Sequence, residues 1–271
     1  MGLIARGLTF RVGSKALVDA VDLELGAGQL TMVVGPNGAG KSTLCALLAG
    51  DARPTDGVVE LDGRPITGWS RRELARRRAV LPQRAATSGW FRAVDLVAMG
   101  RHAWGRSADD HRLALAALDE AGVAHLAERP FPTLSGGEQA RVHLARVLAQ
   151  ATPVVLLDEP TASLDLRHQH VVARVARGRA EAGATVVAVV HDLALAGAYA
   201  DRVVAMRDGR VVADGSPVDV LEASALSDLY GHPVVVSPHP TEGWPLATAE
   251  RGVDGTNHSV LGIPNIICLD T

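Results

Sequence analysis

The residues best suited to chemistry in this sequence form a glycine-rich loop that ends in a lysine and a serine. Residues 35–42 read GPNGAGKS and fit the pattern G-x-x-x-x-G-K-[ST] at every fixed position. The apolar residues 30–34 precede the loop and residues 43–49, rich in Leu and Ala, follow it, which predicts a loop between a strand and a helix. This context favours a nucleotide phosphate site over an ordinary glycine-rich turn. The predicted phosphate-binding residues are Gly35, Pro36, Asn37, Gly38, Ala39, Gly40, Lys41, Ser42 and Thr43.

Two carboxylates follow a second apolar run, residues 154–157. Asp158 and Glu159 are therefore predicted at the carboxyl edge of a parallel sheet, where ligands bind. Lys41 would supply a charge near the β- and γ-phosphates, and Ser42 and Asp158 would hold Mg2+. Glu159 would orient the water that attacks the γ-phosphate, or accept its proton. Taken alone, such an acidic pair is more often a favourable charge at a helix N-terminus, but the phosphate loop favours the catalytic interpretation.

Two further segments are ambiguous from residue chemistry alone. Residues 134–139 read LSGGEQ and open a predicted helix, either as an anion-binding helix start or as a plain N-cap at Ser135. His191 follows the apolar residues 185–190, and a lone histidine there is more often structural than functional.

Composition limits the class of protein. The chain has 271 residues, 47% of them hydrophobic, which is enough for a sizeable core and excludes disordered and collagen-like chains. Because 27 Lys and Arg nearly balance 30 Asp and Glu, no nucleic acid partner is expected. Two distant cysteines, Cys45 and Cys268, fit a reducing compartment. No apolar run is long enough to span a membrane, so any role at a membrane is expected to depend on a partner.

The hydrophobic pattern predicts an α/β fold. Residues 3–12 and 16–25 largely alternate, which indicates a small antiparallel sheet at the N-terminus. Residues 30–34, 154–157 and 185–190 are almost entirely apolar, as expected for strands of a mostly parallel sheet covered on both faces.

A helical region interrupts this core. Helical patterns dominate residues 84–149, where a capping-box pattern at residue 107 predicts a helix that Gly122 ends. The core is thus predicted to comprise residues 1–83 and 150–237, with the helical subdomain inserted between them. Residues 238–271 lose periodicity and form a predicted tail that is a candidate for disorder.

The order of these motifs resembles that of the ATP-binding cassette (ABC) ATPases. Residues 134–139 resemble the signature motif of that family and stand between the phosphate loop and the acidic pair, and the resemblance covers about residues 3–237. It implies a P-loop NTPase core that binds ATP and Mg2+. It also implies that Gln83 touches Mg2+ and links the site to the transport domain, that residues 163–165 cross a dimer interface, and that His191 contacts the γ-phosphate.

The family resemblance further implies a homodimer. ABC ATPases pack head to tail, so Ser135, Gly136 and Gly137 would complete the ATP site of the partner subunit. One position departs from the family pattern, because Val12 stands where an aromatic side chain usually stacks on adenine. Phe10, two residues earlier, is the substitute candidate.

Several segments resemble the ATPases of bacterial hemin importers. The resemblance implies hemin import through a separate permease dimer, with a periplasmic hemin-binding protein as an indirect partner and a peripheral location on the cytoplasmic face of the inner membrane. Ferric siderophore and vitamin B12 import stay open as alternatives. These segments are residues 80–83, 99–102, 162–170, 199–202 and 232–240.

Other interpretations are less favoured. A non-transport ABC switch on DNA or the ribosome usually carries two cassettes or a long coiled coil, whereas this chain has one phosphate loop and no heptad run. A degenerate site would lack at least one of the key residues, all of which are present. His168 and His170 are two apart, so they are predicted on different sides of a solvated helix rather than as heme ligands.

Residues 84–105 are the predicted permease surface. They contain three aromatic side chains, for which local core packing is the equally weighted alternative. These are Trp90, Phe91 and Trp104.

Overall fold

A computed structural model describes residues 2–83, 87, 89–162 and 164–251. The strands are β1 (Gly2–Val12), β2 (Lys15–Gly26), β3 (Gln29–Val34), β4 (Asp56–Leu61), β5 (Arg64–Pro65), β6 (Arg78–Leu81), β7 (Val154–Asp158), β8 (Thr185–Val189), β9 (Arg202–Arg207), β10 (Arg210–Gly215), β11 (Val234–Pro238) and β12 (Pro245–Ala249). The helices are α1 (Lys41–Ala49), α2 (Arg71–Ala75), α3 (Ala93–Ala98), α4 (Asp110–Glu120), α5 (Gly136–Ala149), α6 (Leu166–Glu181), α7 (Leu193–Tyr199), α8 (Pro217–Val220) and α9 (Ala223–Tyr230).

The main sheet confirms the predicted α/β class. Its strand order is β10-β9-β3-β8-β7-β6, with parallel pairing from β9 through β6 and an antiparallel edge strand β10. A separate antiparallel sheet, β2-β1-β4-β5, confirms the predicted N-terminal β subdomain. Because β3, β7 and β8 are apolar on both faces, layers can pack on both sides of the main sheet.

Alternation along β3 shows how the two sides are filled. Met32 belongs to a core cluster that includes the helical region, whereas its neighbour Val33 belongs to a cluster formed with α1 and the antiparallel sheet. Successive side chains of a strand point to opposite faces, so this strand lies between the two layers. The loop that follows the carboxyl end of β3 therefore starts from a strand that packs against both layers.

The region between β6 and β7 is helical, as predicted. Helices α3, α4 and α5 pack on one another there. The start of α4 differs from the capping-box prediction, since its N-cap is Asp109 without a side-chain cap. Ser107 instead forms a local turn, donating its N–H to Asp110 and accepting from the Asp109 N–H.

The C-terminal region contains more regular structure than the pattern indicated. Strands β11 and β12 pair as a hairpin that crosses the predicted boundary at residue 237. The hairpin packs on α7, where an added Cβ at Gly197 would lie 2.3 Å from the Pro245 carbonyl oxygen. Two five-residue strands bounded by prolines carry too little periodicity to be recognised in the sequence. Residues 252–271, including Cys268 and most of the predicted tail, lie outside the described residues.

In the described part of the chain, no helix combines the length and the apolar character needed to cross a bilayer.

Close packing of the hairpin on α7 predicts an unequal effect of two helical Gly-to-Ala changes. We expect Gly197→Ala to destabilise the fold by about 1–3 kcal/mol, because the new methyl group must displace the backbone of β12. Gly178→Ala on α6, where nothing lies within 4 Å of the added Cβ, should be neutral or stabilise by up to about 1 kcal/mol. Urea denaturation of both variants measures the difference. Equal stability of the two variants would contradict the packing.

Candidate functional site

The phosphate loop joins β3 to α1, and two of its glycines are required by close packing. At Gly35, with φ of 143°, an added Cβ would lie 2.1 Å from the Met206 carbonyl oxygen. At Gly40, with φ of 98°, it would lie 2.1 Å from the Leu17 carbonyl oxygen. Gly40 is also the N-cap of α1 and offers no side chain to the first N–H groups of the helix. The loop therefore presents backbone donors and the positive end of a helix to an anion.

Lys41 places a buried cation inside this loop. Its side chain is wrapped back so that Nζ donates to the carbonyl oxygens of Gly35 (2.7 Å) and Pro36 (3.0 Å). Burial lowers the pKa of Lys41, although the nearby carboxylates of Glu159 and Asp158 oppose that shift. Among the residues that the structure describes, no carboxylate lies within ion-pair distance of this ammonium. A phosphate would supply the charged partner that the two neutral carbonyls do not.

Ser42 and Asp158 form an oxygen pair next to the lysine. Ser42 Oγ donates to Asp158 Oδ1 over 2.9 Å, and Asp158 is buried at the end of β7. Burial raises the pKa of Asp158, and the hydrogen bond from Ser42 and the charge of Lys41 act against that rise. A divalent cation would stabilise the charged form of this buried carboxylate. A hydroxyl and a carboxylate fit Mg2+, which keeps several waters and is also bound by substrate phosphates. Within the described ranges, no group of three or more acidic, His or Cys side chains is placed to hold a metal ion by itself.

Glu159 is held by two polar side chains from different strand ends. Its Oε2 accepts from Gln83 Nε2 over 2.7 Å, and its Oε1 lies 2.7 Å from His191 Nε2. Gln83 follows β6 and His191 follows β8, so the parallel sheet delivers all three groups to one edge. The Glu159 backbone has a left-handed φ of 51° and its N–H donates to the Val189 carbonyl. Such a conformation costs roughly 1–3 kcal/mol and is typical of functional sites.

The residues 134–139 segment lies at the start of α5, in the helical region. Ser135 is the N-cap, and its hydroxyl and N–H form a reciprocal capping box with Glu138. The backbone hydrogen bond from Ser135 lowers the pKa of Glu138. Gly136 is exposed and an added Cβ there would meet nothing within 4 Å, so this helix start is open to another molecule. Gly137 is half-buried in the same first turn. Ser135 thus acts as the N-cap within the chain, and the packing leaves the helix start accessible to an anion.

The remaining predicted positions have mixed surroundings. Phe10 is half-buried and packs against the core cluster around α1, whereas Val12 is 59% exposed. Asp165 caps α6 by accepting the His168 N–H. Ser163, the first residue of the predicted interface loop, lies outside the described residues.

The aromatic residues of the predicted permease surface divide between the two interpretations. Trp90 is 79% exposed, whereas Phe91 packs against the core. Trp104 is partly exposed, with its indole N–H donated to the Gln150 carbonyl and with two arginine guanidinium groups over its ring. The two histidines of α6 are half-buried, and each has a side-chain partner. His168 pairs with Asp165, and His170 pairs with Tyr199.

A large cleft opens between the end of β6, α2, α3 and α5, and the sequence did not predict it. Its volume is about 1140 Å³, more than the roughly 300–1,000 Å³ of a small-molecule pocket. The carboxylates that line it are already in ion pairs, as Asp51 is with Arg78. The arginine-rich residues 71–78 indicate a basic surface in the sequence. The cleft is also lined by residues about 70 positions further along the chain, which the sequence pattern does not connect to them. In the described part of the chain, four lining arginines have no carboxylate partner: Arg71, Arg72, Arg106 and Arg146.

Comparison with known proteins gives one consistent family. The family model described as "ABC transporter" matches residues 18–162, more than half of the chain. Two curated relatives are both named hemin import ATP-binding protein HmuV. The relative from Streptomyces coelicolor is 53% identical, over 91% of this chain and 89% of its own length, and the relative from Nocardia farcinica is 55% identical, over 92% and 89%.

Solved structures agree with the sequence comparison. An inward-facing transporter described as of the metal-chelate type matches with a TM-score of 0.78 at 26% identity, over 92% of this chain and 97% of its own. The dimeric structure of a bacterial ABC transporter cassette matches with a TM-score of 0.72 at 27% identity, over 79% and 98%. The same edge of the sheet carries the phosphate loop and the acidic pair. Together with these similarities, this shows that the chain belongs to the ABC transporter family, as one of its ATPase subunits.

Proposed function

We propose that this chain drives hemin import by hydrolysing ATP on behalf of a separate membrane permease. The names of relatives 53% and 55% identical over about nine-tenths of the chain support hemin as the cargo. Ferric siderophore and vitamin B12 import are the alternatives, and the likeness to a metal-chelate type transporter at 26% identity does not separate them from hemin.

The observation that carries the hydrolytic mechanism is the Glu159 carboxylate held between Gln83 and His191, beside the phosphate loop. ATP would lie with its phosphates against the loop N–H groups and the Lys41 ammonium. Bound Mg2+ would neutralise charge on the phosphates, and Ser42 and Asp158 are the groups placed to hold it. Glu159 would orient the attacking water and take its proton.

Gln83 and His191 have supporting roles in this proposal. Each contacts one oxygen of Glu159, so together they fix the direction of the carboxylate. Gln83 would also touch Mg2+, and His191, whose side chain is 43% exposed, would reach the γ-phosphate. Phe10 is the proposed contact for adenine, with Val12 too small to stack.

Two copies of the chain would complete each site. The exposed start of α5 would then face the phosphate loop of the partner, with the helix N-terminus adding positive potential to the γ-phosphate. The dimeric cassette among the matching structures supports this arrangement. The segment involved comprises Ser135, Gly136 and Gly137.

The cleft is the proposed contact with the permease, which would hold the chain at the cytoplasmic face of the inner membrane. Its lining includes the apolar side chains of Leu81 and Val147 and arginines that have no carboxylate partner among the described residues. An amphipathic permease segment with acidic groups on its flanks fits both features. A periplasmic hemin-binding protein would act on the permease and not on this chain.

The assigned role of Glu159 predicts a variant that binds ATP but does not turn over. We expect Glu159→Gln to lower kcat by at least about 100-fold, because an amide cannot accept the proton of the attacking water. ATP binding should persist, since the phosphate loop is untouched, and a dimer should accumulate on size exclusion in ATP. Glu222→Gln is the matched control at an exposed glutamate far from the loop. Normal turnover by Glu159→Gln would refute the assignment.

The cargo is tested by uptake in cells that lack this protein. We expect hemin uptake to fall to background while siderophore and B12 uptake are retained, and Lys41→Ala not to restore it, because the loop then lacks its buried cation. Loss of siderophore or B12 uptake instead would replace hemin with that cargo. Unchanged uptake of all three would contradict a transport role.

The cleft predicts a charge effect on assembly. We expect Arg146→Glu to reduce co-purification of the permease by about tenfold or more, because the change places a like charge opposite the acidic flank. Basal ATPase activity should be kept, since Arg146 does not touch the loop. Arg251→Glu, exposed and outside the cleft, is the control. Equal recovery of permease with both variants would overturn the docking proposal.

A further inference from the structure

We propose that the hydrogen bond between His170 on α6 and Tyr199 on α7 is a positioning contact for ATP hydrolysis. His170 Nδ1 lies 2.9 Å from the Tyr199 hydroxyl, and the two rings are 5.7 Å apart between centroids. The pair sets the position of α7, and through it that of His191, relative to the segment behind Glu159. The proposal deepens the proposed function, since it rests on the assigned roles of Glu159 and His191.

The first turns of α6 are fastened to the segment that follows Glu159. Asp165 caps the helix through the His168 N–H at 2.9 Å, and His168 Nδ1 lies 2.7 Å from the same carboxylate. Gln169 Nε2 donates to the Leu164 carbonyl over 3.1 Å. The next residue, His170, is the one that contacts α7. Movement of this helix start would therefore move the segment that leads from Glu159.

Helix α7 is too short to be stable without tertiary contacts. It has seven residues, and isolated helices shorter than about 12–15 residues are marginal in water. Its start is capped by Asp192, whose carboxylate accepts the Ala194 N–H over 2.8 Å, and His191 directly precedes that cap. The orientation of the helix must come from tertiary contacts, of which Tyr199 supplies a polar one at the far end.

The contacts form a closed circuit through the site. Glu159 leads along the chain to α6, His170 bonds Tyr199, α7 leads back to His191, and His191 Nε2 returns to Glu159 at 2.7 Å. A second ion pair joins Arg177 on α6 to Asp201, just beyond the end of α7. Two cross-links between α6 and the end of α7 restrict its rotation. The half-buried Tyr199 ring also packs against the core, so the hydroxyl adds direction to a contact that is already apolar.

Tyr199→Phe tests the hydroxyl without removing the ring. We expect kcat for ATP hydrolysis by the purified full chain to fall about three- to tenfold, as expected when one net hydrogen bond stops restraining a catalytic group. KM for ATP should stay within about twofold, because the groups that bind the phosphates lie on β3 and α1. His170→Leu should give the same loss, and the double variant no more than either single one.

Rescue and control variants separate positioning from stability. His170→Asn keeps a polar atom near the place of Nδ1 and should recover most of kcat, whereas His111→Leu on the exposed face of α4 should leave it unchanged. An unchanged kcat in Tyr199→Phe, a loss confined to KM, or additive losses in the double variant would each overturn the proposal. The failure is distinguishable from that of the proposed function, because Glu159→Gln tests the glutamate itself.

Discussion

The structure depends on charged groups held at the edge of an apolar sheet. Strands β3, β7 and β8 are buried along most of their length. The carboxyl end of β3 leads to Lys41, and that of β7 carries Asp158 and Glu159. Burial acts against the charge on two of these groups, since it lowers the pKa of Lys41 and raises that of Asp158. A phosphate beside the lysine and a cation beside the aspartate would offset both penalties. The apolar sheet would thus contribute to the affinity for the proposed metal–nucleotide pair together with the loop.

Close backbone packing turns this electrostatic arrangement into a defined geometry. Gly35 and Gly40 approach the carbonyl oxygens of β9 and β2 so closely that a single Cβ would displace the loop. Glu159 takes a left-handed backbone conformation in a non-glycine residue, which the neighbouring strand stabilises through Val189. A left-handed backbone and close backbone contacts therefore occur at residues that would meet the phosphates and water. Rigid donors of this kind need little reorganisation when charge develops in the transition state.

Local patterns in the sequence predicted most of this site, and long-range contacts account for what they missed. The apolar runs before residues 35 and 158 predicted β3 and β7 because strands buried on both faces leave an unambiguous signal. The hairpin was missed because its strands are short, with one ending and the other beginning at a proline. The His170–Tyr199 contact joins residues 29 positions apart on different helices, so periodicity carries no information about it. The cleft likewise combines arginines from α2 and α5 that meet only in the folded chain.

Strand β6 connects the two surfaces that a transport ATPase must couple. Its last residue, Leu81, and the following Pro82 line the cleft, and the next residue, Gln83, donates to the Glu159 carboxylate at 2.7 Å. A partner seated in the cleft would therefore contact the backbone one or two residues from Gln83, the proposed orienting group of Glu159. A proline in this short connection limits the backbone freedom that could absorb such a movement. Under the proposed docking, displacement of the cleft wall would then shift Gln83, and contact with a membrane partner would alter the geometry around Glu159 without any change in the phosphate loop.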